Sequence, residues 1–169
     1  GSETARLCKA IGMRVLGIDG RREDKPEWVD DMFSPDQLDD QLPHADFVVL
    51  TIPHTPSTEG LFDSTKFVLM KNSAIFINIG RGMTTKLHDL NNALRSGQIG
   101  GAGLDVYEIE PLPEDHPLWD APNTILTPHT AALGGANLDE RRYEIVVENF
   151  RNFSDQKPLR NEVDKANWF

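Results

Sequence analysis

Two periodicities alternate along the chain. Short unbroken apolar runs such as "FVVLTI" and "AIFINI" have the character of strands covered on both faces. Between them, apolar residues recur at the spacing of one helix face. The pattern predicts strands over residues 14–19, 46–52, 74–79, 101–106 and 124–126. It predicts helices over 2–11, 35–42, 64–70 and 85–96, with Gly12 and Gly97 as stop signals and Ser34 as an N-cap. A last helix, over 138–153, carries Tyr143, Val146, Val147 and Phe150 on one stripe. Strands alternating with helices imply an α/β domain with a mainly parallel sheet. No internal repeat or low-complexity tract interrupts it, and the closing "PLRNEVDKANWF" is too short for a domain of its own.

Composition narrows the class. A chain of 169 residues is enough for one domain, burying roughly 70% of its unfolded surface. Apolar residues at 38% and charged residues at 26% are those of an ordinary globular domain. A net charge of -10 argues against a nucleic-acid partner, whose phosphates need clustered Lys and Arg; the acidity reads as a solvated surface. No apolar run is long enough to span a membrane and no signal-peptide pattern stands at the front, so neither a membrane partner nor secretion is expected. No metal site is expected. Cys8, the single cysteine, falls with Ala5 and Ile11 on the apolar face of the first helix and reads as a buried thiol in a reducing, cytoplasmic compartment. "NFS" at 152–154 matches a glycosylation sequon and is taken as chance.

In an open α/β sheet the ligand binds beyond the carboxyl ends of the strands. The residues there are Asp19, Gly20, Arg21 and Arg22; Pro53, His54, Thr55 and Pro56; Gly80, Arg81 and Gly82; Asp105, Glu108 and Glu110; and Pro128, His129 and Thr130. One arginine, several carboxylates and one histidine converge on that edge. Arg81 lies between two glycines, whose missing Cβ atoms leave a ligand room to approach the backbone. A guanidinium there can hold a carboxylate in a bidentate way, or it can be a surface ion-pair former. His129 reads either as a hydrogen-bonded structural histidine or, with Glu110 on one ring nitrogen, as a general acid of raised pKa. Glu110 has its own alternative as a solvated residue of "EIEPLPED". Asp19 is either a turn-forming residue before glycine or the acid that accepts from an adenosine ribose, which favours NAD; Arg21 and Arg22 could instead meet the 2′-phosphate of NADP.

"NIGRG", "GAGLDVYEIEP" and "LTPHTAA", in this order and spacing, resemble the D-isomer-specific 2-hydroxyacid dehydrogenases, the glyoxylate and hydroxypyruvate reductases among them. The resemblance runs from "GSETARLCKAIGMRV" to "PLRNEVD". It implies a Rossmann-like doubly wound parallel sheet and hydride transfer between NAD(P)H and a small 2-keto acid, giving a D-2-hydroxy acid. Arg81 would bind the carboxylate and keto oxygen, His129 would protonate the developing alkoxide, and Glu110 would orient His129. Asp105 would contact the nicotinamide carboxamide and Asp19 the adenosine ribose. Pro53 and Thr55 would line the adenosine side, Ile79 and Ala131 the nicotinamide side, with Gly80 and Arg21 completing the cofactor set. NAD is the expected cofactor, NADP the alternative, and a homodimer the expected assembly. "MTTKLHDL" after the arginine and the "HTAALGG" loop depart from the family's usual pattern.

On this alignment Gly1 takes the place of the third glycine of the dinucleotide-binding motif, or with Ser2 is a tag remnant. The resemblance implies residues 1–137 as an NAD(P)-binding domain incomplete at its N-terminus, and 138–169 as a helix and tail returning to a substrate domain. In the order 3-2-1-4-5-6 the first strand is central. Its absence would open a gap between the strand ending at Asp19 and the one ending at Ile79. An upstream segment of the same polypeptide is expected to fill that gap. The alternative function is a non-catalytic NAD(H)-sensing scaffold, resembling the C-terminal-binding-protein corepressors, which keep similar motifs.

Overall fold

The computed structural model describes residues 1–22, 24–131, 133 and 135–165. Two positions of the "HTAALGG" loop, 132 and 134, and the end of the tail, 166–169, lie outside the described residues. The chain forms two compact units, Gly1–Pro128 and His129–Phe169.

In the first unit, helix α1 (Ser2–Ala10) leads to strand β1 (Leu16–Ile18) through Gly12, whose φ of 88° suits a residue without Cβ. Strand β2 (Asp31–Phe33) pairs with β1 in parallel, Gly17 opposite Met32. A separate four-stranded parallel sheet follows: β3 (Phe47–Leu50), β4 (Ile75–Asn78), β5 (Gly101–Leu104) and β6 (Thr124–Leu126), paired in that order. One face of this sheet holds the core. Phe76 is fully buried among Phe62 and Phe67, with ring centroids 5.0 and 5.3 Å away. Short helix α3 (Ser64–Phe67) supplies Phe67, and α4 (Leu87–Arg95) adds Leu87, Leu90, Ala93 and Leu94 at helical spacing. Burying each of these Phe and Leu side chains contributes about 1.5–3 kcal/mol. Asp63 caps α3 by accepting from Thr65 N at 2.9 Å, and Gly97 ends α4 with φ 71°.

Four points of the sequence reading are corrected. Strand β2 was not read from the sequence, because "DMF" is short and set in an acidic stretch; it exists through its pairing with β1, reinforced by the Arg14–Asp31 ion pair at 2.9 Å. Counting it moves the break in the sheet. β3 pairs directly with β4, Leu50 opposite Asn78, so the interruption lies between the β1–β2 pair and β3, not between the strands ending at Asp19 and Ile79. The helix read over 35–42 is instead a 3₁₀ turn (Pro35–Gln37), one α-turn, α2 (Leu38–Gln41), and a second 3₁₀ turn (Leu42–His44). Proline at 35 and 43 removes N–H donors from that stretch. Cys8 is half-buried rather than buried, since Leu7 on α1 and Ile11 just after it are themselves exposed.

The second unit is built on helix α5 (Leu138–Ser154). Its tail folds back: Arg160 N donates to Asn149 Oδ1 at 2.7 Å, and Asn149 Nδ2 donates to the Arg160 carbonyl at 2.9 Å. Tyr143, Val146, Phe150 and Phe153 remain exposed along one stripe.

Candidate active site

The strands of the larger sheet run in step, so Leu50, Asn78, Leu104 and Leu126 are register partners at its carboxyl edge. Arg81 lies three residues beyond Asn78 on a loop fixed from beneath. Asn78 is 1% exposed; its Nδ2 donates to Thr85 Oγ1 at 3.0 Å and to Thr84 Oγ1 and the Arg81 carbonyl at 3.2 Å. Its Oδ1 accepts from Gly80 N at 3.0 Å, and Thr84 Oγ1 donates to the Arg81 carbonyl at 2.7 Å. The Arg81 side chain stays exposed, with Nη1 donating to the Gly80 carbonyl at 2.7 Å. Among the described residues no carboxylate pairs with it. The room beside both flanking glycines is taken by protein backbone, not left for a ligand. A Cβ on Gly80 would lie 2.7 Å from the Ile52 carbonyl oxygen, and one on Gly82 would lie 1.8 Å from that of Tyr107.

Beyond β5, Asp105 is buried; its N–H donates to the Asn78 carbonyl at 3.0 Å and its carboxylate accepts from Thr127 Oγ1 at 2.6 Å. Glu110 is exposed and its Oε1 accepts from Tyr107 N at 3.0 Å. Glu108 does not face the sheet edge as an additional acid: its Oε2 accepts from Leu87 N at 2.6 Å and caps α4. Tyr107 is buried and its hydroxyl donates to the Thr127 carbonyl at 2.9 Å. Burial holds its phenol above the ordinary pKa, and the charges of Asp105 and Glu110 add to the effect.

At the end of β1, Asp19 is exposed and forms a turn: Oδ1 accepts from Arg21 N at 2.8 Å and Arg22 N at 3.0 Å. Arg22 spends its guanidinium on Asp24 at 2.9 Å and on Ser2 Oγ at 3.1 Å. A Cβ on Gly1 would come within 2.8 Å of Thr51 Oγ1, so the start of α1 abuts the end of β3. Between Pro53 and Gly60 the loop is tied to itself. Thr58 Oγ1 donates to the Pro53 carbonyl at 2.8 Å, and buried Thr55 bonds Ser57 and Thr58 through its hydroxyl. Ile79 is partly exposed at the end of β4.

The second unit opens with His129, exposed and left-handed at φ 53°. Ala131 is exposed within a turn in which Leu133 N donates to the Thr130 carbonyl at 2.8 Å.

Sequence reasoning missed Asn78, Tyr107 and the capping role of Glu108. The pattern offers one signal for the first, a polar residue closing the apolar run "AIFIN"; a buried amide at such a place needs partners on neighbouring loops. The described residues contain no group of His, Cys, Asp and Glu arranged to hold a metal, and no helix long and apolar enough to cross a membrane.

Residues 1–131 match the family described as D-isomer specific 2-hydroxyacid dehydrogenase, NAD binding domain. The chain is 39% identical over 154 residues to a glyoxylate reductase of Korarchaeum cryptofilum, covering 90% of this chain and 46% of that protein. To glyoxylate/hydroxypyruvate reductase B of Citrobacter koseri it is 44% identical over 128 residues, 76% of this chain and 38% of that one. An NADPH-dependent glyoxylate/hydroxypyruvate reductase of Sinorhizobium meliloti, solved with NADP and sulfate, superimposes with a TM-score of 0.90 at 33% identity, over 100% of this chain and 54% of that chain. The chain thus spans about half the length of the curated relatives it matches.

Proposed function

The chain belongs to the D-isomer-specific 2-hydroxyacid dehydrogenase family, as its NAD-binding domain, and on that premise we propose that the full polypeptide reduces a small 2-keto acid, of the glyoxylate or hydroxypyruvate kind, to a D-2-hydroxy acid. The observation that carries this reading is Arg81: an exposed guanidinium without a carboxylate partner among the described residues, on a loop held by buried Asn78.

The chain's residues suit a nicotinamide dinucleotide. Asp19 offers an exposed carboxylate at the end of β1 for ribose hydroxyls, and Gly1, where a Cβ would crowd Thr51 Oγ1, keeps the start of α1 free of a side chain. Pro53, Thr55, Ile79, Gly80, Asp105 and Ala131 complete the proposed binding set. When bound, the cofactor supplies a hydride. Arg81 takes the substrate carboxylate and keto oxygen, and its planar fork fixes their orientation. His129 delivers a proton to the oxygen that becomes the hydroxyl, and Glu110 accepts from its other ring nitrogen and stabilises its charge. We place NAD(H) ahead of NADP(H): a 2′-phosphate would meet the Asp19 carboxylate, and Arg22 is engaged with Asp24. Arg21 is the residue through which NADPH would be accepted, as NADP and NADPH are by solved relatives.

The same reading assigns 138–169, with the exposed stripe of α5, to a return toward a substrate domain, and the break between β1–β2 and β3 to a strand from an upstream segment, in a cytoplasmic homodimer. Glyoxylate and hydroxypyruvate assayed with NADH and NADPH test the activity on the full-length polypeptide. The expected result is turnover that His129→Ala lowers by about 10²–10⁴-fold. Tight NADH binding without turnover on any 2-keto acid would overturn the reading in favour of a nucleotide-sensing scaffold.

A further inference from the structure

Tyr107 has no part in the chemistry assigned above, yet it touches each loop of the first unit that leads to it. Its N–H donates to Glu110 Oε1 at 3.0 Å. Its backbone lies against Gly82, next to Arg81, closely enough that a Cβ would sit 2.0 Å from the Tyr107 carbonyl carbon. Its hydroxyl donates to the Thr127 carbonyl at 2.9 Å, with the Leu104 carbonyl at 3.3 Å. The β5–β6 ladder continues one step past Leu126, where Thr127 N donates to the Leu104 carbonyl at 2.9 Å, and then meets Pro128, which has no N–H to extend it. The phenol therefore fixes, from the side, the carbonyl two residues ahead of His129.

We propose that Tyr107 is a positioning residue that ties the Arg81 loop, Glu110 and the segment leading into His129 to one buried anchor. This rests on the reading of those three residues as the reacting set. A reacting set spread over three loops gains precision from a shared rigid support, and small misplacements of a proton donor are costly in rate. The two halves of the reaction depend on it unequally. Substrate binding rides on Arg81, whose loop Asn78 and Thr84 hold without help from the phenol. Proton delivery rides on His129, and the phenol holds the Thr127 carbonyl two residues before it.

Tyr107→Phe in the full-length polypeptide removes the hydroxyl and keeps the ring in its core site. The expected result is a kcat lower by about tenfold, with KM for the 2-keto acid within about twofold. A kcat within about twofold of the parent, or a kcat loss matched by an equal change in KM, would overturn the proposal. A second readout needs no turnover. In ¹⁵N-histidine NMR spectra of the same pair, the ring signals of His129 should move while those of His44 and His88 stay. Superimposable His129 signals would equally overturn the proposal. Retained turnover in His129→Ala would instead remove the underlying reading, leaving the NMR comparison to judge Tyr107 by itself.

Discussion

Gly82 and Tyr107 meet backbone to backbone: a Cβ on Gly82 would lie 1.8 Å from the Tyr107 carbonyl oxygen and 2.5 Å from its nitrogen. Both distances are far inside van der Waals contact, and the obstacle is main chain, which cannot rotate aside as a side chain can. Gly82→Ala must therefore separate the loop after β4 from the loop after β5. The expected cost is about 1–3 kcal/mol of stability, read as a lower urea midpoint. A midpoint equal to the parent's would show that the two loops part freely.

Asn78 makes the Arg81 loop a fixed object. Replacing it by alanine strands the Gly80 N–H and removes the donor shared by Thr84, Thr85 and the Arg81 carbonyl. Each buried group left unpaired costs about 1–3 kcal/mol. The kinetic signature should be a raised KM for the 2-keto acid, because the guanidinium loses its support while His129 keeps its own. Steady-state assays of Asn78→Ala that show kcat falling and KM unchanged would contradict that division.

The parts of the fold that could be read ahead were those where local pattern and tertiary demand coincide. "FVVLTI" and "AIFINI" became β3 and β4 because a short unbroken apolar run bounded by polar turns has the character of a strand whatever surrounds it. Asp31–Phe33 had no such local cause. Its strand character comes from β1 alongside it, and missing it displaced the expected break in the sheet by one strand. The candidate site divides in the same way. Arg81, Asp105 and Glu110 are candidates that follow strand ends, which is the rule that singles them out. The bonds that organise them join Leu87 to Glu108 and Tyr107 to Thr127, pairs some 20 residues apart whose meeting depends on loop geometry.

Asp19 gives a direct handle on cofactor choice. Its Oδ1 shapes the turn by accepting from two backbone N–H groups, and on the proposed reading its charge would oppose a 2′-phosphate. Asp19→Asn keeps an oxygen for the turn and deletes the charge, which on the proposed reading would leave Arg21 as the nearest charged group to the ribose. The ratio of kcat/KM for NADPH over NADH should rise about tenfold, the equivalent of about 1.4 kcal/mol. An unchanged ratio would mean that the carboxylate does not face the nucleotide.

The raised pKa of Tyr107 makes a statement about alkaline stability. In the unfolded chain the phenol ionises near its ordinary value of 10.0, whereas in the folded protein burial, together with the charges of Asp105 and Glu110, holds the proton longer. Between those two values the folded state binds more protons than the unfolded one, so stability must fall as pH rises. The contribution is fully present below pH 10 and is lost as pH climbs through the raised folded value. Tyr107→Phe cannot ionise and lacks this slope. Urea unfolding of both proteins between about pH 8 and 12 should therefore give midpoints whose difference is constant below about pH 10 and narrows above it. Lysines titrate in the same range but are common to both proteins and cancel in the comparison. A difference that stays constant to the alkaline end would mean that the phenol ionises equally in both states, and that it is not the buried, protonated donor to Thr127 that the geometry requires.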